Sequence, residues 1–284
     1  MNTHLFAHKL FSLLGLYDSH IITFIGGGGK TSLMNILGEE SAKIGTPTLL
    51  TTTTHIMKPD FLPSTSYIEE ESFTSLIKTL TTISLQQEYP PLIALGIPEK
   101  IIGNKIKWKG TSETFCKKVA ALSSGNSENS LRIFCEGDGS KRLPVKLPKE
   151  NEPVLFPETD TVIGVIGLSC LGRSTEETLF RYELLDKIFS GNDISDKEKK
   201  WPDKNFYQNS FAGTKTITTD FLYWLCLSKK GLRKNVTTQK FCIILNQADV
   251  LDEESLKSVL TLQNNIKNCG ISCYITSLKD GIII

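Results

Sequence analysis

Ile21-Ile22-Thr23-Phe24-Ile25-Gly26-Gly27-Gly28-Gly29-Lys30-Thr31-Ser32 decides how this chain is read. An apolar, β-favouring run stops at four consecutive glycines. A lysine and two hydroxyl residues follow, and then Leu33, Met34, Ile36 and Leu37 recur at helical spacing. That is the layout of a strand, a phosphate-cradling loop and a helix. Glycines let backbone N–H groups turn toward an anion with no Cβ in the way. In this reading Gly26, Gly27, Gly28 and Gly29 cradle phosphates and Lys30 reaches the β/γ-phosphates. The Thr31 hydroxyl binds Mg²⁺, and Ser32 joins the binding set. The expected ligand is a nucleoside triphosphate, ATP or GTP, with Mg²⁺.

The loop is short. Only Gly27 and Gly28 separate Gly26 from Gly29-Lys30-Thr31, where the usual P-loop places four residues. Forcing the longer spacing puts Phe24 at a glycine position. The loop therefore resembles the shortened phosphate loops of the Mur ligases. A dinucleotide-binding G-x-G-x-x-G fits worse, because counting from Gly26 its third glycine falls on Thr31. A plain glycine-rich turn between strand and helix has no need of Lys-Thr at the helix start.

Outward from this segment the chain alternates. Strand-like runs are Ile21–Ile25, Thr48–Thr53, Leu92–Leu95, Leu131–Cys135, Thr161–Ile166, Phe241–Asn246 and Ser272–Thr276. Helix-like runs are Thr31–Lys43, Glu113–Leu122, Glu176–Ser190, Thr218–Ser228 and Glu253–Asn268. The expectation is an α/β fold, a mostly parallel doubly wound sheet of P-loop NTPase type with a shortened phosphate loop. Residues 1–284 read as one nucleotide-binding domain, with candidate insertions at 123–130 and 191–209. Ligands on such sheets bind at the carboxyl ends of the strands.

Those ends carry the remaining candidates. Leu131-Arg132-Ile133-Phe134-Cys135 runs into Glu136-Gly137-Asp138-Gly139-Ser140-Lys141-Arg142. A Mg²⁺-triphosphate site needs carboxylates opposite its phosphate loop, one on the metal and one to orient or deprotonate an attacking group. Asp138 is the expected metal ligand with Thr31, and Lys30, Glu136 and Asp138 form the expected catalytic set. Lys141 and Arg142 offer charge to a phosphate or an acidic substrate. Phe241–Leu245 ends in Asn246-Gln247-Ala248-Asp249, where GTPases carry Asn-Lys-x-Asp, so Asn246 and Asp249 are candidate guanine readers. Gln247 departs from that pattern, and a strand-end turn with Asp252 capping the next helix is the alternative.

Other segments speak more softly. Thr51-Thr52-Thr53-Thr54-His55 blurs strand and strand end, and a threonine there suits either Mg²⁺ or the sheet. Arg173 and Arg181 suit an anion or a solvated helix surface. Gly103–Gly110 is a lysine-rich turn or hairpin whose plain reading is a solvated edge.

Composition narrows the classes. Net charge is +1, from 32 basic and 31 acidic residues, so no global field argues for nucleic acid or a membrane surface. Leu5, Phe6, Leu10, Phe11, Leu13 and Leu14 mark an N-terminal packing helix without the basic flank of a signal peptide. No apolar run approaches the ~20 residues of a membrane span. The seven cysteines are scattered, which suits reduced cytoplasmic thiols better than a disulfide framework.

Together these segments resemble the YqeC family, described as selenium-dependent hydroxylase accessory proteins. The pieces are Gly26–Thr31, Thr51–His55, Glu136-Gly137-Asp138-Gly139-Ser140 with Arg142-Leu143-Pro144-Val145-Lys146, Val162–Gly172, and Asn246–Asp249. The departures are Gly27, Ser32, Gly137 and Gln247. The sequence stops soon after Lys279, and the resemblance implies the expectation that a last family helix is missing. The resemblance implies a role in maturing selenium-dependent molybdenum hydroxylases, with such an enzyme or its maturation factors as partners. Two other readings stand beside an NTPase: a nucleotide-dependent chaperone or switch with little intrinsic hydrolysis, and a Mur-ligase-like enzyme forming acyl phosphates.

Overall fold

A computed structural model describes residues 3–59, 65–84, 91–123, 130–190 and 216–284. Nine strands form one sheet. In spatial order they are β14 (Ile282–Ile283), β13 (Ser272–Ser277), β12 (Lys240–Asn246), β10 (Thr161–Gly167), β1 (Ile21–Gly26), β8 (Arg132–Glu136), β2 (Thr48–Thr52), β5 (Leu92–Leu95) and β4 (Thr65–Ile68). Every neighbouring pair is parallel except the edge pair of β13 and β14. The fold is α/β with a mostly parallel central sheet, as expected.

The sequence explains this arrangement. Strands β1, β2, β5, β8 and β10 are buried at every position, and their continuous apolar runs are what a sheet covered on both faces requires. Helices α1 (Thr3–Leu13) and α2 (Lys30–Lys43) pack Phe6, Leu10, Phe11, Leu33, Met34 and Leu37 over Phe24, Phe134 and Ile244. The Phe24 and Phe134 rings stack at 5.9 Å between adjacent strands. The opposite face is covered by α7 (Thr219–Leu227) and α8 (Glu253–Asn268), which bring Phe221, Leu225, Leu262 and Ile266 onto Val162 and Ile243. Asp252 caps α8, its side chain accepting from the Ser255 amide at 2.8 Å. Further along that sheet, α3 (Phe73–Ser84) and α4 (Glu113–Ala120) cover Leu49, Ile93 and Ile133 with Leu76, Phe115 and Val119.

Two regions depart from expectation. The run Glu176–Ser190 is not one helix. A single turn, α5 (Thr175–Thr178), gives way to a short strand, β11 (Leu179–Phe180), before α6 (Leu184–Ser190). Strand β11 pairs in parallel with β9 (Val145–Lys146), and Arg181 turns left-handed at φ 69°. Tertiary pairing overrides local helix preference there. The second departure is a small antiparallel sheet of β3 (His55–Met57), β7 (Lys105–Lys109) and β6 (Ile97–Ile102). It includes the lysine-rich hairpin and carries it over the carboxyl ends of the central strands. The segments 123–130 and 191–209 lie, apart from 123 and 130, outside the described residues. Among the described residues no helix is long and apolar enough to cross a membrane.

Candidate functional site

Strand β1 sits between β8 and β10, in register so that Phe24 faces Glu136 and Gly26 faces Val165. The end of β1 therefore meets the end of β8, and helix α2 starts at their junction. Gly29 precedes α2 at φ 114° and offers no side-chain cap. Four amides at a helix start need partners from outside the helix. Among the described residues the amides of Gly29, Lys30, Thr31 and Ser32 have no hydrogen-bond acceptor. This uncapped turn faces the open cleft, whose lining includes Gly28 through Ser32. It also carries the positive end of the helix dipole.

The first three glycines behave differently from the cradle expected of them. The Gly26 amide donates to Asp138, at 3.0 Å to Oδ1 and 3.2 Å to Oδ2. Gly27 N–H donates to the Val165 carbonyl at 2.8 Å and Gly28 N–H to the Leu143 carbonyl at 3.2 Å. Their lack of a side chain is used for close packing. A Cβ on Gly28 would lie 2.1 Å from the Gly167 nitrogen, and one on Gly27 would lie 2.6 Å from the Pro144 carbonyl oxygen. The bend is pinned to its neighbours, and the open donors begin at Gly29.

Lys30 is 3 % exposed. Its Nζ donates to the Gly26 carbonyl at 2.7 Å and lies 3.5 Å from Glu136 Oε1 and 3.4 Å from Asp138 Oδ1. Burial acts to lower its pKa, but the two carboxylates outweigh burial and hold the ammonium above its ordinary value. Glu136 also meets Thr31, whose hydroxyl donates to Oε2 at 2.6 Å. Burial pushes the Glu136 carboxyl up, and Lys30 and Thr31 only partly offset it.

Asp138 is 2 % exposed and does not line the cleft. Besides Gly26 and Lys30 it holds Lys146, at 3.1 Å from Oδ2. Lys146, 1 % exposed, also reaches the Gly139 carbonyl at 3.0 Å and Glu152 at 2.6 Å. Glu152 in turn receives the Arg181 guanidinium, with Nη2 at 2.8 Å from Oε1. Burial raises the Glu152 carboxyl, but bonds from Arg181 and Lys146 win and bring it down to about 2. A chain of buried and half-buried charge thus runs from the glycine bend through Asp138, Lys146 and Glu152 to Arg181. Nothing in the spacing of Lys146 and Glu152 announced it; the strand pairing of β9 with β11 creates it.

The cleft encloses about 930 Å³ at the ends of β1, β2 and β8. Its lining carries eight lysine and arginine residues against two carboxylates, Glu136 and Glu152. Lys105 and Lys107 of the small sheet belong to that lining, so the hairpin is more than a solvated edge. Thr51 and Thr52 are buried strand residues, bonding the Leu95 and Glu136 carbonyls, while Thr54 and His55 reach the cleft. Asn246 is a brace: its amide donates to the Gly28 carbonyl at 2.8 Å and accepts from Thr276 and the Leu278 amide at 3.2 Å. Asp249 accepts from Ser277 at 3.0 Å and lies outside the cleft, whereas Gln247 lines it. Arg173 is exposed and paired with Glu177. Among the described residues no group of three or more His, Cys, Asp and Glu is placed to hold a metal by itself.

The chain is 28% identical over 155 residues to "Uncharacterized protein YqeC" of Escherichia coli (strain K12), a stretch covering 54% of this chain and 53% of that protein. It thus spans about half the length of that curated relative. No solved structure matches the chain. The YqeC protein family matches residues 22–183, a span that holds β1 from Ile22 on, the glycine bend, Glu136, Asp138 and the ion chain out to Arg181, and stops short of Asn246 and Asp249. The match covers more than half of the chain, and the protein belongs to the YqeC family.

Proposed function

We propose that this protein binds a Mg²⁺–nucleoside triphosphate, ATP or GTP, at the start of α2 and hydrolyses it. The accessory role in maturing a selenium-dependent molybdenum hydroxylase, which the family resemblance implies, is the cellular context we attach to that chemistry. One observation carries the reading. An uncapped helix turn with open amides, a buried lysine and a threonine bonded to a carboxylate converge at the floor of a basic cleft. Such a floor suits a polyphosphate by dipole, donor count and charge.

The residues fit a magnesium ion at a revised address. Mg²⁺ takes hard oxygen ligands and shares them with substrate phosphates. Thr31 Oγ1 and Glu136 Oε2 lie 2.6 Å apart at the cleft. Asp138, the ligand expected from sequence, has both oxygens engaged by Gly26 and the two lysines. We therefore assign the metal to Thr31 and Glu136 and a positioning role to Asp138. A bound Mg²⁺ would neutralise charge on the phosphoryl group. Lys30 exchanges its bond to the Gly26 carbonyl for phosphate oxygens, and the amides of Gly29 to Ser32 stabilise the negative charge. The switch reading has its own support: Lys30 and Thr31 are tied to Gly26 and Glu136, and a triphosphate must open those bonds.

The test is phosphate release from ATP and GTP with and without Mg²⁺. Lys30→Ala is expected to lose turnover by about 10²-fold or more, the loss seen when one charge-stabilising donor is removed. Glu136→Gln is expected to lose the Mg²⁺ dependence. Turnover unchanged in both variants would refute the assignment; tight binding with turnover too slow to measure would favour the switch.

A further inference from the structure

The cleft is larger and more basic than its phosphate end requires. Its 930 Å³ lies near the top of the range of about 300–1,000 Å³ typical of small-molecule pockets. Four of its lining residues, Lys141 (φ 51°), Arg142 (φ 65°), Arg181 (φ 69°) and Gln247 (φ 68°), hold left-handed backbone. Among the described residues only Glu158 and Asn235 share that feature without glycine. Side chains adopt it at an energetic cost, and it persists where the surroundings enforce it. Here the enforcement is visible at Arg181, which is locked on Glu152, itself locked on Lys146.

Charge pairing separates two groups among seven of the cleft's eight cations, Lys105 aside. Lys30 answers Glu136 and Asp138, Lys58 answers Glu69, Lys107 answers Glu99, and Arg181 answers Glu152. Lys141, Arg142 and Lys149 have no carboxylate partner among the described residues. All three are exposed and line the cleft together with Phe180, whose ring has Lys141 Nζ at 5.1 Å and the Arg181 guanidinium carbon at 4.4 Å. Unpaired positive charge beside an aromatic face in one cleft suits an anion.

We propose that Lys141, Arg142 and Lys149, with the Phe180–Arg181 pair, hold a second ligand while the nucleotide occupies the α2 end. The ligand is a small molecule bearing a multiply charged anion, a phosphate ester or a polycarboxylate. The proposal rests on the nucleotide reading for its co-ligand, but its own charge argument stands apart. The chain Asp138–Lys146–Glu152–Arg181 links the two ends of the cleft.

Calorimetry on the whole protein decides the matter. Inorganic pyrophosphate and citrate are titrated separately into protein saturated with a Mg²⁺–nucleotide analogue that cannot be hydrolysed. We expect one further site for at least one of them, and the preferred anion identifies the ligand class. Lys141→Ala/Arg142→Ala should weaken that site at least tenfold and leave nucleotide affinity within about threefold, which also shows that the variant is folded. Uptake of neither anion by saturated protein, or equal uptake by the double variant, overturns the proposal. Should no nucleotide bind at all, anion binding that depends on Arg142 and not on Lys30 would keep the second site and discard the nucleotide reading.

Discussion

Asp138 shows how far a residue's role depends on its neighbours. Its carboxylate receives one amide and two lysines, all buried. Asp138→Asn leaves Lys30 and Lys146, 3 % and 1 % exposed, short of one negative charge. Breaking one partner of a buried ion pair costs roughly 3–5 kcal/mol. Urea unfolding should show a loss of that order, and a variant as stable as the parent would remove Asp138 from its bracing role. Glu152 gives a pH signature. Its carboxyl is brought down to about 2 from the ordinary 4.5, so it stabilises the folded state above pH 4.5 and that contribution fades as pH falls toward 2. The stability difference between the parent and Glu152→Gln should therefore be full at neutral pH and shrink across that acid window. A difference that is flat with pH would contradict the ion chain.

At the scale of elements, the strand–glycine–helix unit was legible because period, glycine run and Lys-Thr all point to one layout. The structure returns it as Ile21–Gly26 followed by Lys30–Lys43. Helix Glu253–Asn268 was legible for the same reason, with an acidic cap and a clean stripe ending in Val259, Leu262 and Ile266. What the sequence hid were contacts made by distant chain. The Leu143 and Val165 carbonyls that hold the glycine bend lie over a hundred residues away, and no local pattern reports them. For the same reason the engagement of Asp138 by Gly26, Lys30 and Lys146 could not be read from its own segment, and it is this engagement that leads us to propose Glu136 as the metal ligand. Short strands such as β9 and β11 depend on one another and carry no period of their own. The bend itself yields a prediction. Gly28→Ala meets the Gly167 backbone and strains a φ of 64°, whereas Gly45→Ala, at φ 100°, meets nothing within 4 Å. Gly45→Ala should cost only the left-handed strain, about 1–2 kcal/mol, and leave ligand binding intact. Gly28→Ala should cost more and abolish binding. Thermal unfolding and nucleotide titration of the two variants check this, and equal behaviour would mean that the bend is not held as described.

Across the whole molecule, the sheet gathers the cleft residues at the carboxyl ends of its central strands and keeps most of its thiols inside. Cys116, Cys135, Cys170, Cys226, Cys242 and Cys273 are buried, and Cys269 is exposed. Burial pushes the Cys170 and Cys273 thiols up to about 12. A thiol reagent should label one cysteine in the native protein and all seven after denaturation; rapid labelling of several native cysteines would contradict this core. Ligand binding should be felt equally widely, since the proposed phosphate end of the cleft is continuous with β1, β8 and α2. A ligand at a hundred times its Kd adds about 2.7 kcal/mol of stability, and a chain of this size gains about 2–4 °C in Tm per kcal/mol. The most direct measurement is thermal unfolding with ATP, GTP and their diphosphates, with and without Mg²⁺, on the parent and on Lys30→Ala. A Mg²⁺-enhanced rise of about 5 °C or more with at least one triphosphate, lost in Lys30→Ala, is the predicted result; no rise with any nucleotide, or an equal rise in the variant, would contradict a polyphosphate site at the start of α2.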